Sequence, residues 1–210
     1  MKTALTLTLA TFLFPLAACS SVQYGDPGAV ETLTIDFGST DLQTLAGDMT
    51  DSLIMSPALN YLDQSHKGDD KRILVYMGGV DNRTSEHIDT QGITDSIQVK
   101  MLGSGKFRIV AGEQGQDEIG DQVRFQQGSG RVDPDTARAF GKQLGADVVI
   151  YGTLRSIDKH KGRSIESGGV AKDDVYYQFV LSCTNIDTAE VMWMEEAEIR
   201  KQGRSGWFGG

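Results

Sequence analysis

Cysteine is scarce in this chain of 210 residues, which contains only Cys19 and Cys183. Two cysteines exclude the framework of several disulfides that stabilises many small secreted domains. The context of Cys19, described below, predicts that its sulfur is modified, which leaves Cys183 without a partner in the chain. We expect Cys183 to be buried as a small apolar side chain.

Histidine is also scarce, and the motifs of common enzymes are missing. The three histidines, His66, His87 and His160, have no spacing typical of zinc ligands. His87 lies near Glu86 and Asp89, so a metal site is the alternative there to solvated loop side chains. The chain has no G-x-S-x-G motif, and residues 103–107 (GSGKF) lack the spacing and the hydroxyl residue of a phosphate-binding loop. We therefore predict a protein that is not an enzyme and needs no cofactor or metal; a hydrolase with a non-obvious site is the remaining alternative.

Positive charge is in deficit. The chain has 20 Lys and Arg against 29 Asp and Glu, a formal net charge of −9. An acidic protein is a poor ligand for nucleic acid and for anionic lipid surfaces. A basic partner surface remains compatible with this charge.

No apolar run is long enough to span a membrane, which takes about 20 residues. The uncharged stretch 4–17 follows Lys2 and is typical of a signal peptide. It ends in Leu-Ala-Ala-Cys at 16–19, which looks like a lipobox, although a plain secretory signal with an incidental cysteine is the alternative. We predict a signal peptide over 1–18 and a lipidated Cys19. Ser20 after the cysteine resembles the sorting pattern for the outer membrane, so we expect a lipid-anchored protein facing the periplasm.

The remaining chain is predicted to contain one domain. Residues 19–32 are small, polar and glycine-bearing, which indicates a short lipidated tether. The globular domain is placed at 33–202, followed by a flexible tail at 203–210.

Hydrophobic periodicity predicts alternating strands and helices. Strands are predicted at 33–37, 73–77, 107–110, 148–157, 175–184 and 191–199. Helices are predicted from Thr40 as N-cap to residue 53, after Pro57, and at 90–103, 118–127 and 133–145, with an exposed polar loop at 159–173. Early helices and a late antiparallel meander indicate an α/β (α+β) fold with a single mixed β-sheet flanked by helices.

Four segments resemble the LpoB-type activators of penicillin-binding proteins: 36–54, 80–110, 144–157 and 176–201. The stretch GADVVIYGTL at 145–154 is also similar in kind to the N-terminal domain of TolB and to the curli secretion lipoprotein. The resemblance implies a TolB N-terminal-domain-like fold. It also implies an outer-membrane lipoprotein that binds the regulatory domain of a class A penicillin-binding protein and stimulates peptidoglycan synthesis. The alternative is an envelope-assembly or secretion-associated lipoprotein, which would need lipid-facing hairpins that the polar loop does not supply.

The chain departs from this family in its tether. LpoB-type proteins carry a long, often proline-rich tether, whereas residues 19–32 span at most about 50 Å when fully extended. This reach is short for a protein that contacts an inner-membrane partner from the outer membrane.

Candidate partner contacts follow from the preference of interfaces for aromatic and arginine side chains on rigid elements. The ordinary alternative for each is sheet surface or core packing, and Trp207 with Phe208 has the further alternative of docking on the domain itself. We expect a monomer in solution. The candidate contact residues are Tyr151, Arg155, Arg163, Tyr176, Gln178 and Trp207.

Overall fold

The computed structural model describes residues 25–31, 34–65, 67–133, 135, 145–162 and 169–205. Several predictions lie outside these ranges: the signal peptide, half of the tether, and nearly all of the helix at 133–145. His66, Cys19, Arg163, Trp207 and Phe208 lie outside them as well.

The first helix, α1 (Ser39–Met55), turns the predicted apolar stripe towards the core: Leu45, Ala46, Met49 and Leu53 are buried, and Leu42 is half-buried. Its N-cap is Gly38 and not Thr40. The carboxylate of Asp41 accepts a hydrogen bond from the Gly38 N–H at 2.8 Å. The Thr40 hydroxyl is used elsewhere, since it accepts from the Glu31 N–H at 2.8 Å.

A short 3₁₀ helix (Pro57–Tyr61) follows α1, as the position of Pro57 predicts. Its buried Leu59, together with Leu62, joins the core.

The described strands form one five-stranded mixed sheet. Its strands are β1 (Ile73–Arg83), β2 (Phe107–Ile109), β3 (Val148–Lys161), β4 (Ala171–Asn185) and β5 (Val191–Ser205), in the order β2-β1-β3-β4-β5. β1 pairs in parallel with β2 and β3, whereas β3-β4 and β4-β5 are antiparallel. The predicted mixed sheet with a terminal antiparallel meander is confirmed.

β1 runs further than predicted, and only its first three residues are buried. The strand continues past Met77 to Arg83 because Gly78 and Gly79 form an irregularity instead of a turn, with Gly79 at φ 86°. Burial on both faces holds for Ile73, Leu74 and Val75, but Tyr76 is 45% exposed.

The strand predicted at 33–37 is wrong for its described residues, since residues 34–37 form bends and unpaired backbone. Their alternating side chains pack against the sheet without joining it. Phe37 contacts the ring of Tyr177 edge-on, with centroids 5.6 Å apart. The Phe37 N–H donates to the Glu86 carboxylate at 2.9 Å. This bond satisfies a backbone donor that would bond to a neighbouring strand in a sheet.

The polar loop predicted at 159–173 is shorter, because β3 extends to Lys161 and β4 begins at Ala171. β5 likewise continues to Ser205, beyond residue 202, where we placed the end of the domain. In the extended hairpin the backbone ladder and charged pairs, such as His160 opposite Asp173, hold strands that bury few apolar side chains. Hydrophobic alternation therefore gave no signal for these strand ends.

Two helices cover one face of the sheet, and we call this the inner face. α2 (Thr90–Gly103) begins at Asp89, whose carboxylate accepts from the Gln91 N–H at 3.1 Å as a predicted N-cap. The core between helices and sheet is apolar. It consists mainly of Leu45, Met49, Leu53, Ile93, Ile97, Met101, Val75, Phe107, Ile150, Leu154, Phe179, Leu181 and Cys183.

The third helix, α3 (Glu113–Gly128), begins five residues before the predicted start at 118. It buries only Gly120 and Val123, which explains why its apolar periodicity was weak.

A cluster on the inner face holds the start of the domain to β4 and β5. We call this cluster the N-terminal clasp; it consists of Ile35, Phe37, Glu86, Tyr177 and Lys201. The Tyr177 hydroxyl donates to the Glu86 carboxylate and approaches the Ile35 carbonyl at 3.5 Å. The Lys201 ammonium donates to the Asp36 carbonyl at 2.7 Å and pairs with the buried Asp41. Burial and the adjacent Glu86 carboxylate raise the pKa of Tyr177 far above its usual range.

Replacing Tyr177 with Phe is expected to destabilise the protein by about 1–3 kcal/mol, because the half-buried Glu86 carboxylate loses a hydrogen-bond donor. Chemical denaturation monitored by circular dichroism measures the change. Tyr176→Phe is the matched control, since its hydroxyl bonds to Glu198 on the exposed side of the same strand. Equal stability of the two variants would show that the clasp hydroxyl contributes nothing.

Cys183 is expected to be inert in the folded protein. Burial raises the pKa of its thiol to about 12 from 9.0, so the reactive thiolate is suppressed. A thiol reagent such as DTNB should label no Cys183 in the native state and label it fully in guanidinium chloride. The same difference in pKa makes the free energy of unfolding depend on pH. The Cys183 contribution should be constant up to about pH 9 and should fall between about pH 9 and 12, because the thiol of the unfolded chain ionises first. Rapid native labelling at neutral pH would contradict this.

Candidate partner-binding surface

The outward side chains of β3, β4 and β5 form a surface opposite α1 and α2, which we call the open face. Side chains alternate along each strand, so residues two apart share a face. Ile150 and Leu154 point into the core, whereas the intervening Tyr151 is 42% exposed. The register then places the outward residues of the three strands side by side. The open face contains Tyr151, Thr153, Arg155, Ile157, Tyr176, Gln178, Val180, Met194, Glu196, Glu198 and Arg200.

Four of the predicted contact residues come together on this face. Arg155 is paired directly with Gln178 across the β3-β4 ladder, and Tyr176 is paired with Ile157. Tyr151 lies on the same strand as Arg155, with Thr153 as the outward residue between them. The Tyr151 hydroxyl accepts a hydrogen bond from the Thr184 hydroxyl at 3.4 Å. The structure therefore places four of the six candidate residues on one surface.

Arg155 is the exposed cation at the centre of the open face. In the part of the chain that the structure describes, its guanidinium takes part in no hydrogen bond or ion pair. Its neighbour across the β1-β3 ladder, Arg83, is paired with Asp81 at 2.7 Å. Arg155 therefore presents five N–H donors in a fixed plane to whatever binds this face.

Most of the other polar groups of the face are held by neighbours. The Gln178 amide donates to Glu196 at 2.8 Å, and Arg200 donates to Asp174 at 2.9 Å. The Tyr176 hydroxyl donates to Glu198, which together with partial desolvation raises the pKa of Tyr176 to about 12. The Arg200 hydrogen bond lowers the pKa of Asp174. These contacts fix the side chains around Arg155 before any partner arrives.

Three of these partners, Glu196, Glu198 and Arg200, were missed in the sequence. They alternate at every second position of β5, but their charge hides them from a search for apolar periodicity. The alternation of charge with Ala197 and Ile199 was the signal that could have found them.

Exposed apolar side chains flank the polar centre. Ile157 and Met194 are each 57% exposed, and Tyr76 on the neighbouring strand is 45% exposed. Ile157 and Tyr176 also line a shallow cavity of about 190 Å³ with Lys159, Asp174 and Arg200. Aromatic, aliphatic and arginine side chains within a polar rim are typical of protein interfaces.

The described residues hold neither a cluster of metal ligands nor a helix that could span a membrane. They contain no group of three or more His, Cys, Asp or Glu side chains arranged to hold a metal ion. None of their helices combines the length and the apolar character needed to cross a membrane.

Solved structures of several bacterial proteins align with this chain at low sequence identity. The LpoB C-terminal domain from Escherichia coli aligns with 12% identity and a TM-score of 0.42, covering 76% of this chain and 98% of that domain. The corresponding domain from Salmonella enterica aligns with 14% identity and a TM-score of 0.37, covering 75% and 94%. Lipoprotein GNA1162 from Neisseria meningitidis aligns with 12% identity and a TM-score of 0.37, covering 62% and 84%.

Comparison with curated protein sequences finds no significant match to this chain. The family model described as "Peptidoglycan-synthase activator LpoB" matches residues 41–199. That segment begins in α1 and ends in β5, so it includes the core, the clasp residues Glu86 and Tyr177, and every residue of the open face except Arg200. The chain therefore belongs to the LpoB family of peptidoglycan-synthase activators.

Proposed function

We propose that this protein binds a class A penicillin-binding protein in the periplasm and raises its rate of glycan polymerisation, without catalysing a reaction itself. The family supports activation of a peptidoglycan synthase. The observation that carries the site is the unpaired Arg155 guanidinium, held among fixed polar groups and exposed apolar side chains on the open face.

The open face suits an activator because it is rigid. β3 and β4 are paired without interruption from Val148 opposite Asn185 to Lys161 opposite Lys172. The apolar core lies directly beneath, so the outward side chains keep their relative positions. Such a platform can hold a mobile domain of a synthase in one conformation by binding that conformation preferentially.

Arg155 sets the chemistry expected of the partner. A buried arginine without a counter-charge is strongly unfavourable, so an interface that covers it must supply a carboxylate or several carbonyl groups. A planar guanidinium accepts a carboxylate in a bidentate arrangement, which fixes orientation as well as affinity. We therefore infer that the synthase places an acidic side chain opposite Arg155.

The anchor limits where this contact occurs. Residues 25–31 are already tied to α1, since Gln43 donates to the Pro27 carbonyl at 3.1 Å and Thr40 accepts from Glu31. With Cys19 in the membrane, residues 19–24 extend at most about 20 Å. The synthase must therefore extend its own regulatory domain to the vicinity of the outer membrane.

The contact is tested with the mature chain carrying Cys19→Ser and the ectodomain of a class A synthase from the same bacterium. We expect binding by isothermal titration calorimetry and faster glycan polymerisation. Arg155→Glu should weaken binding about tenfold or more, because it places a carboxylate against an acidic partner group.

Arg124→Glu is the matched control, because it makes the same change of charge on the exposed surface of α3. Both variants should keep the thermal midpoint of the parent. Absence of binding and of activation would overturn the proposed function, whereas equal affinities of the two variants would overturn only the assignment of the open face.

The lipid anchor makes a separate prediction. Cells that express the full chain should incorporate radiolabelled palmitate into it, and Cys19→Ser should abolish the label because the cysteine sulfur is the atom that takes the diacylglycerol. Fractionation should find the parent protein in the outer membrane and the variant elsewhere. Labelling that persists in the variant would contradict the assignment of Cys19.

A further inference from the structure

A second surface lies where α1 ends, away from the open face. A groove with a cavity volume of about 860 Å³ runs between the end of α1, the 3₁₀ helix and the first residues of β1 and β2. We call it the basic groove. Its apolar floor consists of Ile54, Leu59, Leu62, Ile73 and Phe107. A volume of this size is in the range of ligand-binding clefts.

The charge of the basic groove is opposite to that of the protein. Lys71, Arg72 and Lys106 line it, and none of its lining residues is a carboxylate. Arg72 is neutralised by Asp70, with its Nε at 2.9 Å from a carboxylate oxygen. Among the described residues, Lys71 and Lys106 have no carboxylate partner. A protein with a net charge of −9 therefore holds two uncompensated positive charges at one apolar groove.

Both ammonium groups are fixed in place by neutral acceptors. Lys71 donates to the carbonyl oxygens of Gln64 at 3.0 Å and Lys67 at 2.9 Å. Lys106 donates to the Ile54 carbonyl at 3.0 Å, near the end of α1. Each ammonium keeps its full charge and at least one free donor, so less side-chain entropy is lost when an anion binds.

The groove is bordered by exposed apolar side chains. Met55 is 82% exposed and lines it, and Tyr61 at the end of the 3₁₀ helix is 84% exposed. Tyr61, Pro57 and Val191 line an adjoining cavity of about 620 Å³. A contiguous apolar patch with a charged rim is typical of a surface that contacts another protein.

The position of the groove argues against a lipid surface as its occupant. The chain enters the domain beside the first turn of α1, where Gln43 holds Pro27. α1 has 17 residues, which places the groove about 25 Å along the helix from that entry. A domain attached at its N-terminus therefore presents the basic groove away from its own membrane.

We propose that the basic groove binds an acidic segment of a partner protein, which inserts apolar side chains over Leu59 and Phe107 and places carboxylates against Lys71 and Lys106. This contact is independent of the open face, because the two surfaces share no residue. It gives the domain a second binding site at the end opposite its point of attachment.

The test uses the mature chain with Cys19→Ser and two fluorescein-labelled peptides of equal length. Both peptides carry the same Leu and Phe residues on one face of a helix, and their polar positions are Glu in one and Lys in the other. Fluorescence anisotropy should show that the acidic peptide binds about tenfold more tightly, with an affinity that falls as salt is added. Equal affinities of the two peptides would overturn the proposal.

Charge reversal locates the site. Lys71→Glu with Lys106→Glu should weaken the acidic peptide about tenfold, whereas Lys161→Glu with Lys172→Glu, which changes the same charge at the end of the hairpin, should not. Because Lys106 also bonds to α1, Met55→Ser provides a second variant that breaks no hydrogen bond and should also weaken binding. Equal affinities of the parent and Met55→Ser, or displacement of the peptide by vesicles of phosphatidylethanolamine and phosphatidylglycerol, would overturn the proposal.

Discussion

The register between β3 and β4 is the constraint on which both faces of this domain depend. Because side chains alternate with a period of two, one register decides at once what is buried and what is exposed. Pairing Gly152 with Leu181 directs Ile150, Leu154 and Phe179 to the core and leaves Arg155 outside. Gly152 permits this close pairing, since a Cβ there would lie 2.8 Å from the Val180 carbonyl oxygen.

A slip of one residue would therefore damage more than stability. It would place the Arg155 guanidinium against the apolar core and expose Leu154, at a cost far larger than that of an ordinary surface substitution. The same hydrogen bonds thus determine the core and the shape of the open face. Packing beneath a binding surface and the chemistry above it are not separable properties in this sheet.

Much of the architecture could be predicted from the sequence where one physical rule acts alone. Alternation over 175–184 predicted β4 and its two faces, and the i, i+4 spacing of Ile93, Ile97 and Met101 predicted α2. These segments pack an apolar face against the core, so their patterns carry the information directly.

The rest depends on contacts between residues distant in sequence. The alternation at 33–37 resembles a strand, but Glu86 and Tyr177 take up its polar groups and its Phe37 ring. The ends of β3, β4 and β5 are held by backbone pairing and by side-chain contacts between strands, such as Arg200 with Asp174 and His160 with Asp173, which no local pattern predicts. The basic groove could not be predicted for the same reason, since Lys71 and Lys106 line one groove only when β1 and β2 lie side by side.

The way the chain enters the domain determines how the molecule carries mechanical load. A pull on the N-terminal end of the chain is transmitted to residues 25–31 and then to the first turn of α1, through Thr40 and Gln43. The next bonds in line are those of the clasp, where Phe37 and Tyr177 converge on Glu86. Because the described residues 25–31 and 34–37 belong to no strand of the sheet, tension applied to them does not unzip the sheet one hydrogen bond at a time. The domain can stay folded, with its open face intact, while the envelope moves on either side of it.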